Sequence, residues 1–319
     1  MSKPTVLFLD DEERIVKSLR LIFLDKYEVL TATDPEAALD LVSAQQVDVV
    51  VSDQRMPKVT GVEFLAKVKA ISPKSVRILL TGYSDLDAIM DSVNKGEVFR
   101  YVQKPWENEK LHATVDLGVE AAKQLSGLTN EQASHYLNES IQEAPEDESG
   151  CASILVLDQQ AEIYNQVKDL LAEHEISGCN AYHADSMDRA LEILGEKPIG
   201  IVISDIRVGN ADVGYLLKTL KANFPQVVTI IASEVRDADI AVELINEGQI
   251  YRYLPKRLPI GLLKLTIQSA LRHHKGLIEK PELQHLYRTE NAGQAPGDAA
   301  QKGVWSALKD LGKRLLMAR

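Results

Sequence analysis

The chain repeats itself. VVVSDQRM, ending at Met56, matches IVISDIRV, ending at Val208. RILLTGYSDLDAIMDSVNKGEVFRYVQKP, from Arg77, matches TIIASEVRDADIAVELINEGQIYRYLPKR, from Thr229, and both pairs lie 152 residues apart. The opening run TVLFLDDEE pairs with SILVLDQQA at an offset of 148, which places four extra residues in the second copy near His174 to Ala184. Solenoid units run to about 20–50 residues. A period this long is a duplicated domain, and 319 residues hold two domains of ordinary size.

Within each copy, short aliphatic runs alternate with helical patterns. The first copy predicts strands near Val6–Leu9, Glu28–Thr31, Val47–Ser52, Val76–Leu80 and Phe99–Val102. Helices begin near Glu12, Pro35, Gly61 and Ser84, and a fifth follows Trp106. A run such as VDVVV is apolar on both faces, as a parallel strand covered by helices must be. Five βα units in such a length predict a doubly wound open sheet, whose chemistry sits beyond the carboxyl ends of the strands. The boundaries read as a first domain over 1–125, an acidic linker over 126–150, a second domain over 151–275 and a tail over 276–319.

In the first copy, chemically relevant residues fall at the ends of four strands. Strand one ends in Asp10-Asp11, strand three in Asp53, strand four in Thr81 and strand five in Lys104-Pro105. Each alone is an ordinary acidic loop, strand-end acid, buried threonine or surface lysine. Together they form a set. Clustered carboxylates repel unless a cation joins them, and a few hard oxygen ligands suit magnesium that also touches a phosphate. An ammonium and a hydroxyl opposite complete the contacts of a phosphoryl group, and an aspartate so placed can be the nucleophile.

The motifs LFLDDEE, VVVSDQRMP, LLTG and YVQKPW resemble the receiver domain of two-component response regulators over residues 1 to about 125. The resemblance implies a flavodoxin-like (βα)5 fold and phosphoryl transfer to Asp53 from a sensor histidine kinase or phosphotransfer protein. It implies Mg2+ held directly by Asp11, Asp53 and the Arg55 backbone carbonyl, with Asp10 acting through a water. Lys104 would bind a phosphoryl oxygen, Thr81 would swing in to bond it, and Tyr101 would turn inward with Thr81. Plain packing is the other reading of Tyr101. The stretch DQRMP…GVEFL…RILLTGY…RYVQKPW further resembles receivers of HD-GYP regulators. Tyr83, two residues after Thr81, borders the phosphoryl position in this family and would slow hydrolysis; an exposed loop tyrosine is the alternative.

The second copy keeps Asp158, Asp205, Ser233, Tyr253 and Lys256 but places Gln159 and Gln160 where the first has Asp11 and Glu12. A neutral amide removes one charge from the metal site, and Arg257 replaces the proline after the lysine. Two readings stay open: Asp205 is a second, weaker phosphoacceptor, or this copy is a degenerate pseudo-receiver that docks partners or the first domain.

The remaining features narrow the function. Thirty-six Lys+Arg against 47 Asp+Glu give a net charge of −11, which disfavours wrapping of nucleic acid. Cys151 and Cys179 lack metal-ligand spacing, read as inert thiols and suit a reducing compartment, so a cytoplasmic protein is expected. His273-His274 reads as a pair on the solvent end of a helix rather than a phosphotransfer site. The tail KGVWSALKDLGKRLLMAR carries Val304, Leu308, Leu311 and Leu315 on one stripe of a basic helix. Docking on the chain itself, a partner groove and, less favoured, an anionic membrane face are its three readings. One short helix is too little for a helix-turn-helix. The expectation is a non-enzymatic response regulator that switches an unknown downstream protein; its rivals are a phosphate sink or relay and, less favoured, a DNA-binding regulator. Oligomeric state is left open by the sequence.

Overall fold

The computed structural model describes residues 3–82, 90, 92, 98–126, 152–173, 179–234, 238–246 and 250–280. Tyr83, Cys151, the linker over 127–150 and the tail from 281 lie outside them, as does most of the helix expected from Ser84, of which Met90 and Ser92 are helical. The chain forms two compact units, each on its own five-stranded parallel sheet.

The first unit runs β1 (Thr5–Leu9), α1 (Glu13–Phe23), β2 (Glu28–Ala32), α2 (Pro35–Ala44), β3 (Val49–Asp53), α3 (Gly61–Ile71), β4 (Val76–Thr81), β5 (Arg100–Gln103) and α4 (Asn108–Ser126). The strand order is β2-β1-β3-β4-β5. β1, β3 and β4 are buried along nearly their whole length because helices cover both faces. The helices follow local rules. Asp34 caps α2 by accepting from Glu36 N and Ala37 N at 2.9 and 3.2 Å, with Pro35 at the first turn. Val16, Leu19 and Phe23 form the buried stripe of α1. Phe23 meets the Phe8 ring at 5.0 Å and the His112 ring at 4.2 Å, joining α1 to β1 and α4. Burying such a side chain contributes about 2 kcal/mol.

The second unit repeats this order. Along the chain the second copy runs β6 (Ser153–Leu157), α5 (Glu162–Ala172), β7 (Ala181–Ala184), α6 (Met187–Glu196), β8 (Ile199–Ser204), β9 (Arg207–Val208), β10 (Ala211–Asp212), α7 (Gly214–Asn223), β11 (Val228–Ser233), α8 (Ala238–Asn246), β12 (Arg252–Pro255) and α9 (Ile260–Glu279). Its strand order, β7-β6-β8-β11-β12, is the same doubly wound arrangement. Leu9 pairs with Ala32 and Leu157 with Ala184, so the extra residues of the second copy fall between β6 and β7. One addition is new: the small antiparallel hairpin β9–β10 follows β8, where the first unit has an open loop.

Two expectations need correction. His273 and His274 are buried, 5% and 8% exposed, not on the solvent end of a helix. α9 turns both onto the body of the unit: His273 stacks on Tyr251 at 4.9 Å, and the Gln226 carbonyl lies 2.7 Å from His274 Nδ1. Neither ring is presented to a partner. Cys179 is disulfide-bonded rather than an inert thiol. It precedes β7.

Burial lowers the His274 pKa below its ordinary 6.5, against the opposing pull of the Gln226 carbonyl, and the charge of Lys221 lowers it further. A lowered folded pKa means the unfolded chain takes up the proton first. The associated stability is full above 6.5 and is lost as pH falls through the lower folded value. The second unit is therefore expected to lose denaturant resistance as pH falls below 6.5, and His274→Gln to flatten that slope. Identical slopes in the two proteins would contradict this.

Candidate functional site

The sheet topology gathers the first site. β1 and β3 are neighbours whose following connections leave on opposite sides, and the crevice beyond their carboxyl ends is the usual place for chemistry in such a sheet. Leu9 pairs with Ser52, Asp53 with Leu80, and Thr81 with Gln103. This register sets Asp10, Asp53, Thr81 and Lys104 along one edge.

Asp10 and Asp53 are 1% and 6% exposed. Lys104 Nζ bridges them, 3.0 Å from Asp10 Oδ2 and 2.5 Å from Asp53 Oδ1. The other oxygens accept from the backbone: Glu12 N donates to Asp10 Oδ1 at 3.0 Å and Arg55 N to Asp53 Oδ2 at 3.2 Å. Burial raises the Asp53 pKa, while hydrogen bonding and charge from Lys104 oppose the rise. For Lys104 burial works downward, but its hydrogen bonds to Asp53 and Asp10 and their charges outweigh it and leave the ammonium more strongly protonated than usual.

Asp10, Asp11 and Asp53 each offer one oxygen, and these three atoms lie within 4.8 Å of one another, with Asp11 exposed. That donor set fits a small hard cation with open positions for water and phosphate. Thr81 is buried at the end of β4, its Oγ1 3.4 Å from the Gly82 carbonyl. Tyr101 is 1% exposed and already lies inward, with its hydroxyl 2.5 Å from Ser92 Oγ.

The second site keeps the frame and changes the chemistry. Lys256 Nζ lies 2.9 Å from both Asp158 Oδ1 and Asp205 Oδ2, so losing the following proline does not take the lysine out of the site. Burial works to lower the Lys256 pKa, but hydrogen bonds to Asp158 and Asp205 and their charges raise it. Asp205 Oδ1 accepts from Ser233 Oγ at 2.5 Å and from Ile206 N at 2.7 Å. Both acceptor oxygens are thus occupied, as both are at Asp53. Asp158 Oδ2 is buried without a hydrogen-bond partner, and among the described residues no three-carboxylate cluster forms in this unit. Tyr253 is 5% exposed, inward like Tyr101.

Sequence reasoning passed over Gln54, Gly61 and Ser92, which support the first site. Gly61 has a local signal, a glycine at a helix start; the contacts of Gln54 and Ser92 exist only in the folded unit.

Two doubly wound sheets, each with a lysine bridging two acids at the carboxyl edge, define a pair of receiver-type domains. The chain belongs to the response regulator receiver domain family, whose pattern matches residues 6–116 and again 154–268. Over 117 residues it is 42% identical to the hydrogenase transcriptional regulatory protein HoxA of Cupriavidus necator, covering 37% of this chain and 24% of that protein. Sporulation initiation phosphotransferase F of Bacillus subtilis is 28% identical over 116 residues, covering 36% of this chain and 93% of that one. The signal receiver domain of an HD domain-containing protein from Pseudomonas fluorescens Pf-5 shares 31% identity, covering 40% of this chain and 96% of that one, with a TM-score of 0.39. The chain spans about a quarter of the length of HoxA. Among the described residues no helix is long and apolar enough to cross a membrane.

Proposed function

We propose that the chain is a phosphorylation-dependent response regulator in which Asp53 is the phosphoacceptor and the second receiver is a pseudo-receiver. The observation behind this reading is the convergence of three carboxylate oxygens beside the Lys104 ammonium. Asp10, Asp11 and Asp53, with the Arg55 carbonyl, would hold magnesium. Bound there, the ion would offset negative charge on the phosphoryl oxygens. An Asp53 oxygen attacks the phosphorus of a partner's phosphohistidine. The new P–O bond forms as the P–N bond breaks, and the departing imidazole keeps that electron pair and takes up one proton.

Lys104 is within reach of both buried acids. As the acyl phosphate forms, its ammonium follows a phosphoryl oxygen, and Thr81 turns its hydroxyl the same way. The phosphoryl group carries about −1.5 to −2 in place of the carboxylate's single charge, and its three oxygens reorganise the loops after β3 and β4 and change the surface offered to a downstream protein. Tyr101 starts inward in this account, so the motion lies mainly in Thr81 and Lys104. The chain signals rather than turning over a substrate, in the cytoplasm, with a histidine kinase or phosphotransfer protein upstream. Its likeness to HD-GYP-linked receivers belongs to this reading.

For the second copy, Gln159 in the place of Asp11 and the absence, among the described residues, of a three-carboxylate cluster favour the pseudo-receiver over a second acceptor. The test is uptake of label from acetyl phosphate by the full chain. Wild type is expected to be labelled only with magnesium, and Asp53→Ala to fall to background. Undiminished labelling of Asp53→Ala would overturn the assignment.

A further inference from the structure

The residue after the acceptor aspartate is a glutamine whose side chain is turned inward. Gln54 is 5% exposed and makes three bonds. Its N–H donates to the Leu80 carbonyl at 2.9 Å, tying it to β4. Its carbonyl accepts from Gly61 N at 3.0 Å, and its side-chain Oε1 accepts from Val62 N at 3.2 Å. Gly61 and Val62 open α3. One residue beside Asp53 therefore holds both ends of the intervening loop.

The first donors of a helix need partners from outside it. In α3, Gly61 N goes to the Gln54 carbonyl, Val62 N to the Gln54 side chain, and Glu63 N to Thr60 Oγ1 at 3.3 Å. Two of the three come from Gln54. The loop it closes contains a tight turn, Val59 N to the Pro57 carbonyl at 2.9 Å, with Lys58 at φ 71°. A lysine in that left-handed region persists where its surroundings fix it. The loop also carries Arg55, whose N–H bonds Asp53 Oδ2.

The second copy is an internal comparison. Ile206 stands in the place of Gln54 and offers no side-chain acceptor. Its carbonyl accepts from Val213 N, and α7 starts with Gly214 N on the Asp212 carboxylate, behind the β9–β10 hairpin. The second copy keeps the backbone half of the clamp and lacks the side-chain half.

We propose that Gln54 is a positioning residue for the Asp53 site. It holds the loop over 55–60 so that the Arg55 carbonyl and the Asp53 carboxylate face one cation, and it links that site to the start of α3. The metal role of this loop rests on the phosphoacceptor reading above; the clamp itself does not.

The test compares full-length wild type, Gln54→Leu and Gln54→Glu, the last of which keeps an acceptor for Val62 N. Two quantities are read: amide exchange at Val62, and the magnesium concentration giving half-maximal labelling by acetyl phosphate. Gln54→Leu is expected to speed Val62 exchange and raise half-saturation about tenfold, the effect of one buried donor left unmet. Its labelling rate at saturating magnesium is expected to stay within about twofold of wild type, and Gln54→Glu to restore Val62 protection. A merely structural role would not separate affinity from rate in this way. Unchanged half-saturation in a labelled Gln54→Leu protein overturns the inference, as does equal loss of Val62 protection in both variants. Should Gln54→Leu not fold, wild type and Gln54→Glu decide: matching Val62 protection and half-saturation no weaker than wild type support the clamp, and loss of either overturns it. Should wild type take up no label at Asp53, the phosphoacceptor reading fails, and Val62 exchange in the variants judges the clamp alone.

Discussion

Replacing Lys104 with methionine will tighten magnesium binding in the first unit and yet slow labelling of Asp53 by about 100-fold. The two effects have one origin. The ammonium sits between the carboxylates, 3.0 Å from Asp10 and 2.5 Å from Asp53. There it offsets the charge that would attract a second cation, so its removal makes the pocket more negative and raises affinity for a divalent ion. The same ammonium is the group placed to meet charge developing on a transferring phosphoryl oxygen, and losing such a donor costs about 3 kcal/mol of transition-state stabilisation. Methionine keeps most of the stem and its packing. Calorimetric titration with magnesium and initial rates with acetyl phosphate separate the two effects; weaker binding together with an unchanged rate would reverse this account of Lys104.

Gly61→Ala is the second large effect. A Cβ at this position would lie 2.1 Å from the carbonyl oxygen of Asp53 and 2.7 Å from Leu79 Cδ1. Leu79 can adjust its side chain, but the Asp53 oxygen is backbone at the end of the central strand. The start of α3 must therefore back away from the acceptor strand. A forced shift of this kind costs about 3 kcal/mol. It would also pull Gly61 N from the Gln54 carbonyl, opening the loop that carries Arg55. Denaturant unfolding followed through Trp106, which lies near the site with its ring 5.8 Å from Lys104 Nζ, reports the loss. A variant within about 0.5 kcal/mol of wild type would mean that the helix start has more freedom than its contacts indicate.

Much of this was legible from residue order. The duplication fixed both sheets at once, because a strand assigned in one copy is checked by its partner in the other. Helix starts at Pro35 and Gly61 follow from a capping aspartate and a capping threonine, both local. Asp10, Asp53, Thr81 and Lys104 could be gathered because parallel strands bring their carboxyl ends to one edge whatever the loops do.

What escaped depends on tertiary contact. Gln54 bonds a backbone group eight residues away, and nothing in SDQRM distinguishes that from a surface amide. The β9–β10 strands have two residues each, too short to show any periodicity. His273 and His274 sit on a helix whose polar and apolar sides are mixed near its end, so their burial appears only once Tyr251 and Gln226 are in place. The 2.5 Å bond from Ser233 Oγ to Asp205 is likewise invisible in a sequence that keeps acid, hydroxyl and lysine.

The most direct measurement is the location of the acyl phosphate in the full chain. Wild-type protein labelled with acetyl phosphate and magnesium, then reduced with borohydride, converts any phosphorylated aspartate to homoserine that peptide mass spectrometry locates. The predicted result is homoserine at position 53 and unmodified aspartate at 205. Modification at 205 to a comparable extent, or at neither position, would contradict the division of the chain into one switching receiver and one pseudo-receiver.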